Sequence, residues 1–187
     1  MRWKINDSVD KNAVRTLQEQ LQVNELIATL LVQRGIATYE QARAFFRPSL
    51  ADLHDPYLMK DMDKAVQRIE LALENEERIL VFGDYDVDGT TAVSLVSAYL
   101  KTLSDNIDTY IPDRYLEGYG ISNKGIDYAE DNEFSLIIAL DCGIKSIDKI
   151  DYAKAKGIDF IICDHHLPGD EVPGAVAVLD AKQKDCN

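Results

Sequence analysis

From Arg78 onward the chain alternates short, unbroken apolar runs with amphipathic stretches, and this alternation limits the fold more than any other feature. Ile79–Phe82, Leu136–Leu140, Phe160–Cys163 and Val176–Leu179 contain no polar residue. A strand with one wet face alternates polar and apolar side chains, whereas an unbroken run is buried on both faces, as in a parallel sheet covered by helices. A further strand fits Asp108–Ile111. Between these runs the spacing predicts helices from Thr90 to about Leu103, from Asn123 to Asp131, and over Ile147, Ile150 and Ala153. Ser146 is the expected cap of the last helix and Gly157 its stop. The fold class is therefore α/β: a doubly wound, mostly parallel sheet.

An N-terminal helical segment, residues 1–75, precedes this domain of residues 76–187. Ala13, Leu17 and Leu21, then Leu26, Ile27, Leu30 and Leu31, recur at helical spacing until Gly35. A second helix fits Thr38 to Phe46 and is stopped by Pro48. Leu53–Pro56 reads as a turn, and Met62, Ala65, Val66, Ile69 and Leu73 mark one apolar helix face.

Three apolar runs lead into unusual polar clusters. Phe82–Gly83 continues as Asp84–Tyr85–Asp86–Val87–Asp88–Gly89, Leu140 as Asp141–Cys142–Gly143, and Cys163 as Asp164–His165–His166. Ligands of open parallel α/β sheets sit beyond the carboxyl ends of the strands, so all three clusters are expected on one edge. Each has a bland counterpart: Asp88–Gly89 as a turn, Asp141 as a cap, the histidines as solvated loop residues. Three coincidences at three strand ends favour a metal site. A calcium loop starting at Asp84 needs a bidentate Glu at its twelfth position, where Leu95 stands. Carboxylates with an imidazole and no thiolate set suit Mn²⁺ or Mg²⁺. Two such ions imply hydrolysis of a phosphodiester or phosphoanhydride.

The net charge of −13, from 33 acidic and 20 basic residues, argues against unaided nucleic-acid binding but not against a carboxylate metal site. No stretch is long and apolar enough to span a bilayer, and the start, MRWKINDSVDKN, has no apolar signal core. Cys142, Cys163 and Cys186 form neither a metal-ligand spacing nor an even disulfide set, which predicts a reducing, cytoplasmic setting.

At these residues the chain resembles the DHH phosphoesterase superfamily, whose namesake run stands here as Asp164–His165–His166. GDYDVDGTTA, Gly83 to Ala92, is similar to its first motif and LDCG, Leu140 to Gly143, to its second. Leu31 to Ile69 and IPDRYLEGYGIS, Ile111 to Ser122, resemble the RecJ group within it. The resemblance implies a 5′→3′ single-stranded-DNA exonuclease of DNA repair and recombination that uses two Mn²⁺ or Mg²⁺ ions. It implies Asp84 and Asp86 on one ion, Asp88 on the other, Asp141 bridging both and His165 completing the ligands of the second ion. His166 would then meet the scissile phosphate or leaving oxygen, with Asp164 orienting its neighbours. Arg114, Tyr119 and Gly120 lie on a segment that resembles a substrate-contacting loop. The implied partners are single-stranded DNA and DNA-repair proteins, with no membrane role. The group also has a further aspartate motif and basic domains downstream, so the chain reads as the N-terminal part of such a protein, inactive alone.

Two rivals share some of these features. Compact relatives with the same metal site act as pyrophosphatases or as oligonucleotide or cyclic-dinucleotide phosphodiesterases, but begin close to their first motif. A receiver-like signalling module also places aspartates at strand ends to bind Mg²⁺, yet it opens with its first strand and ends a later strand in Lys. Here a long helical lead-in precedes Gly83, and the later strand delivers His165–His166.

Overall fold

The computed structural model describes Arg2 and residues 8–186. Two compact units divide the chain, one up to His54 and one from Asp55 onward. The first holds helices α1 (Lys11–Leu21), α2 (Glu25–Gln33) and α3 (Tyr39–Phe46) around Val14, Leu17, Ala28, Leu31 and Ala42. The helical spacing read as continuous to Gly35 is interrupted at Gln22, which turns left-handed with φ 55°. Asn24 then restarts the helix by accepting the Ile27 N–H at 2.9 Å, a capping signal hidden within an unbroken apolar periodicity.

The second unit begins with α4 (Met62–Glu74) and continues as β1 (Arg78–Gly83), α5 (Val87–Leu100), β2 (Ile107–Tyr110), α6 (Asn123–Asp131), β3 (Phe134–Leu140), α7 (Ile147–Ala155), β4 (Asp159–Cys163) and β5 (Ala177–Leu179). All pairings are parallel, in the order β2-β1-β3-β4-β5. Successive strand residues point to opposite faces. Ile79, Val81, Ile138 and Leu140 pack with Ala65 and Ala72 of α4 and Val93 and Leu100 of α5. Leu80, Phe82, Ile137 and Ile162 pack with Ile126 and Ala129 of α6 and Ile150 and Ala153 of α7. Both faces are covered, which is why the strand runs carry no polar residue. No helix among the described residues is long and apolar enough to cross a membrane.

Two local expectations are corrected. Helix α5 starts at Val87, not Thr90, because Asp86 accepts the N–H groups of Asp88 and Gly89 at 3.0 Å each and caps the helix within the aspartate run. Ser146 does occupy the N-cap position of α7, but its side chain makes no capping hydrogen bond.

Candidate metal centre

The chain changes direction between β1 and β3: β2 lies on one side of β1, and β3, β4 and β5 follow on the other. Such a reversal opens a crevice at the carboxyl edge of the sheet. Asp84, Asp141 and Asp164 each follow a strand directly at that edge. The Asp141 N–H donates to the Cys163 carbonyl at 2.8 Å and the Asp164 N–H to the Leu179 carbonyl at 3.0 Å. The strand ladders thus extend by one rung and fix both backbones.

At the end of β1, Asp84 is 1% exposed and neither carboxylate oxygen has a hydrogen-bond partner. Its backbone lies under the first turn of α5. A Cβ at Gly89 would stand 2.4 Å from the Asp84 carbonyl oxygen and 2.7 Å from its nitrogen, so only glycine allows this approach. Asp86 commits Oδ1 to its cap, and Asp88 is exposed on the first turn.

At the end of β3, Asp141 takes a left-handed conformation with φ 60°, which short polar side chains tolerate better than others. Its Oδ1 accepts from His165 Nε2 at 2.9 Å. Burial, then the Asp86 charge, pushes the Asp141 carboxyl above its ordinary range, against the pull of His165. Asp141, His165 and His166 each offer one ligand atom, and these atoms lie within 4.8 Å of one another.

Asp164 is saturated. Its Oδ1 accepts from the N–H of His165 at 2.7 Å, the N–H of His166 at 3.1 Å and His166 Nδ1 at 2.7 Å, and its Oδ2 from the N–H of Ile144 at 3.0 Å. Burial alone would raise its pKa, but these donors hold it below the usual carboxylate range. A carboxylate only accepts, so Nδ1 carries the ring proton and Nε2 of His166 faces the Tyr119 hydroxyl, 3.2 Å away.

Tyr119 sits on a loop gathered by Glu117. That carboxylate accepts from the Tyr110 hydroxyl at 2.8 Å, the Ser122 hydroxyl at 2.6 Å and the Asp113 N–H at 2.9 Å. Burial, then Glu117, pushes the Tyr110 phenol up to about 12. Gly118 and Gly120, with φ of 83° and 81°, supply the turns that bring Tyr119 to His166. Arg114 lies over the Tyr85 ring at 5.0 Å, and Tyr85 meets Tyr119 edge to face at 6.5 Å.

The structure therefore brings Asp141, His165 and His166 within one ligand radius and places Asp164 and Tyr119 against His166. Asp84, Asp86 and Asp88 stand at the same edge but outside that triplet. Arg114 contacts Tyr85, and Gly120 lies buried beside Tyr119. Two contributors are absent from the sequence reading. Tyr85 links Arg114 to Tyr119, and its position between two motif aspartates was the available signal. Lys182 donates its Nζ to the His165 carbonyl, a contact across seventeen residues that no local pattern announces.

A metal fits this donor set. A buried carboxylate with two unpartnered oxygens is costly unless it is paired or coordinates a cation, and Asp84 is in that state. Oxygens with imidazole nitrogens are ligands for Mn²⁺ or Mg²⁺. Asp84, Asp86, Asp88, Asp141 and His165 could hold such ions.

The chain is 44% identical over 186 residues to the single-stranded-DNA-specific exonuclease RecJ of Bacillus subtilis (strain 168), covering 100% of this chain and 24% of that protein. It is 38% identical over 164 residues to the same-named protein of Escherichia coli (strain K12), covering 87% and 28%. Among solved structures, RecJ in complex with Mn²⁺ from Thermus thermophilus matches with a TM-score of 0.70 at 25% identity, over 100% of this chain and 26% of that one. Exonuclease RecJ bound to manganese matches with a TM-score of 0.63 at 30% identity, over 68% and 32%. The chain thus spans about a quarter of the length of the curated relatives it matches. The family model described as "DHH family, N-terminal domain" matches residues 78–187, from the first residue of β1 through every strand-end aspartate, and the chain belongs to that family.

Proposed function

We propose that this chain carries the metal-binding part of a single-stranded-DNA exonuclease that acts 5′→3′ in DNA repair and recombination, with residues 76–187 as its phosphoesterase domain. The observation that carries the proposal is the bare, buried carboxylate of Asp84 on the edge that also holds Asp141, His165 and His166. The similarity to RecJ proteins along nearly the whole chain, including the helices before β1, supports the substrate class. RecJ structures bound to Mn²⁺ support the cofactor.

Asp84 and Asp86 are assigned to one ion and Asp88 to the other, with Asp141 between them and His165 on the second. When bound, the ions activate a water and stabilise charge on the attacking and leaving oxygens. The residues' own work is positional. Asp164 holds the Nδ1 proton of His166, leaving Nε2 to meet a phosphate or leaving oxygen. Arg114, Tyr119 and Gly120 line the strand's approach. At −13 the chain supplies little attraction for a polyanion, so strand affinity is assigned to other, basic parts of a complete protein. Three free cysteines fit work in the reducing cytoplasm, alongside DNA-repair proteins.

Calorimetric titration with Mn²⁺ tests the reading. The folded chain is expected to bind Mn²⁺, and Asp141→Ala to lose that binding while keeping the circular-dichroism spectrum of the parent. No Mn²⁺ binding by the folded parent, or unchanged binding by Asp141→Ala, overturns the assignment.

A further inference from the structure

Beside the histidine pair the surface sinks into a cavity of about 380 Å³, bordered by Asp164 and His166 and further lined by Tyr119, Lys145, Ser146 and Lys149. That volume lies within the range of small-ligand sites. Because His166 borders it, the cavity adjoins the candidate metal centre, and what occupies it lies next to the bond being cut.

Its charged groups are unevenly committed. Asp164 is satisfied by four hydrogen bonds. Asp148, the other acid of the lining, pairs with Lys149 at 3.0 Å, but its side chain is 76% exposed and the pair is screened by water. Lys145 is exposed, and the ion pairs among the described residues leave it out. The Ser146 hydroxyl is not spent on capping α7. In a chain of net charge −13, this wall offers a free ammonium, a weakly held one and an uncommitted hydroxyl to an anion. Tyr119, 57% exposed, adds an aromatic surface at the border with His166. A cationic wall beside an exposed ring is how single-stranded nucleic acid is held, phosphate on the charges and base on the ring.

We infer that this cavity takes the terminal nucleotide of the strand, with its phosphate on Lys145, Lys149 and Ser146 and its base against Tyr119. The inference rests on the exonuclease reading and adds to it a subsite and a product class, a nucleoside monophosphate. It gives Lys145 and Lys149 a positioning role.

The test is an NMR titration of the ¹⁵N-labelled chain with thymidine 5′-monophosphate, without added metal. The nucleotide is expected to shift the amides of residues 143–149 and Tyr119, and thymidine to bind about tenfold more weakly for want of charge-assisted contacts. The double variant Lys145→Glu/Lys149→Glu should weaken nucleotide binding by at least about tenfold, while its Mn²⁺ affinity stays that of the parent. Shifts confined to other surfaces, no shifts at all, thymidine binding as well as the nucleotide, or a double variant that binds like the parent would each overturn the inference. Nucleotide binding here without Mn²⁺ binding by the parent removes the metal assignment and leaves the subsite standing. Mn²⁺ binding without nucleotide binding removes the subsite alone.

Discussion

The ends of β1 and β4 carry the same residue type at the same place and treat it in opposite ways. Asp84 and the side chain of Asp164 are each only 1% exposed. Asp164 is met by four donors, whereas Asp84 is met by none. Burying an ionised carboxylate without partners costs several kcal/mol, and partners remove most of that cost. One sheet edge therefore holds a carboxylate that organises its surroundings and another that awaits a positive charge. The pairing teaches that burial and position do not define a role at such an edge; the count of donors does.

The sharpest break in the comparison comes at Asp84. Asp84→Asn keeps the shape and removes the charge, so Mn²⁺ affinity measured by calorimetry should fall at least about 100-fold, roughly 2.8 kcal/mol. The same variant without metal should be as stable as the parent or more so in urea denaturation, because an uncompensated buried charge has gone. Unchanged Mn²⁺ affinity together with lost stability would make Asp84 an ordinary structural residue.

The next effect comes from crowding the same strand end. In Gly89→Ala the new methyl group would stand 2.4 Å from the Asp84 carbonyl oxygen, a backbone atom that cannot swing aside. We expect a loss of about 3 kcal/mol of stability in urea denaturation, the upper end for overpacking. Mn²⁺ affinity should fall with it, because Asp84 is displaced. A stable Gly89→Ala that binds Mn²⁺ normally would show that α5 does not set the position of Asp84.

Much of this edge was legible beforehand because its signals are local or periodic. The unbroken runs of β1, β3 and β4 announced a sheet covered on both faces, and the residues after them announced where a site would lie. What stayed hidden depends on donors brought in by the fold. Asp84 and Asp164 look alike in sequence, and the Ile144 N–H that helps to saturate Asp164 comes from beyond β3, twenty residues earlier. Asp86 looked like a loop residue because Asp–Gly usually turns. Its cap on α5 depends on Gly89 fitting against the Asp84 backbone. Lys182 reaches His165 only because β5 lies beside β4.

A smaller change is expected from the saturated end. Asp164→Ala strips acceptors from three backbone N–H groups and from the His166 ring, which predicts about 2 kcal/mol of lost stability in urea denaturation. The ring should also lose its fixed tautomer, visible as a changed balance of Nδ1 and Nε2 signals in nitrogen-resolved NMR. A stable variant with an unaltered His166 tautomer would show that the four hydrogen bonds do not hold the ring. Asp84→Asn should leave that tautomer untouched, so the two variants separate the two ends.

The smallest effect is on pH dependence, and it contrasts the saturated carboxylate with Asp141 at the end of β3. Asp164 is held below its ordinary value of 3.8: burial opposes this, but the donors outweigh it. Protons then bind the unfolded chain more readily than the folded one, so the stabilisation from Asp164 is present above pH 3.8 and is lost as the pH falls through the lower, folded-state value. Asp141 runs the other way. Burial first, then the Asp86 charge, raises its carboxyl above 3.8, so its contribution is fully present below 3.8 and is lost as the pH rises through the higher, folded-state value. With metal removed by a chelator, urea denaturation across the acid range should show both slopes. The stability gap between the parent and Asp164→Ala should narrow towards the lowest pH. Asp141→Asn, which cannot ionise, should gain on the parent as the pH rises above 3.8. Added Mn²⁺ should erase the second trend and leave the first, because a cation at Asp141 compensates the charge that burial penalises, while Asp164 already has its donors. If Mn²⁺ instead changes the acid slope of Asp164 and leaves that of Asp141 alone, the two ends have been assigned the wrong way round.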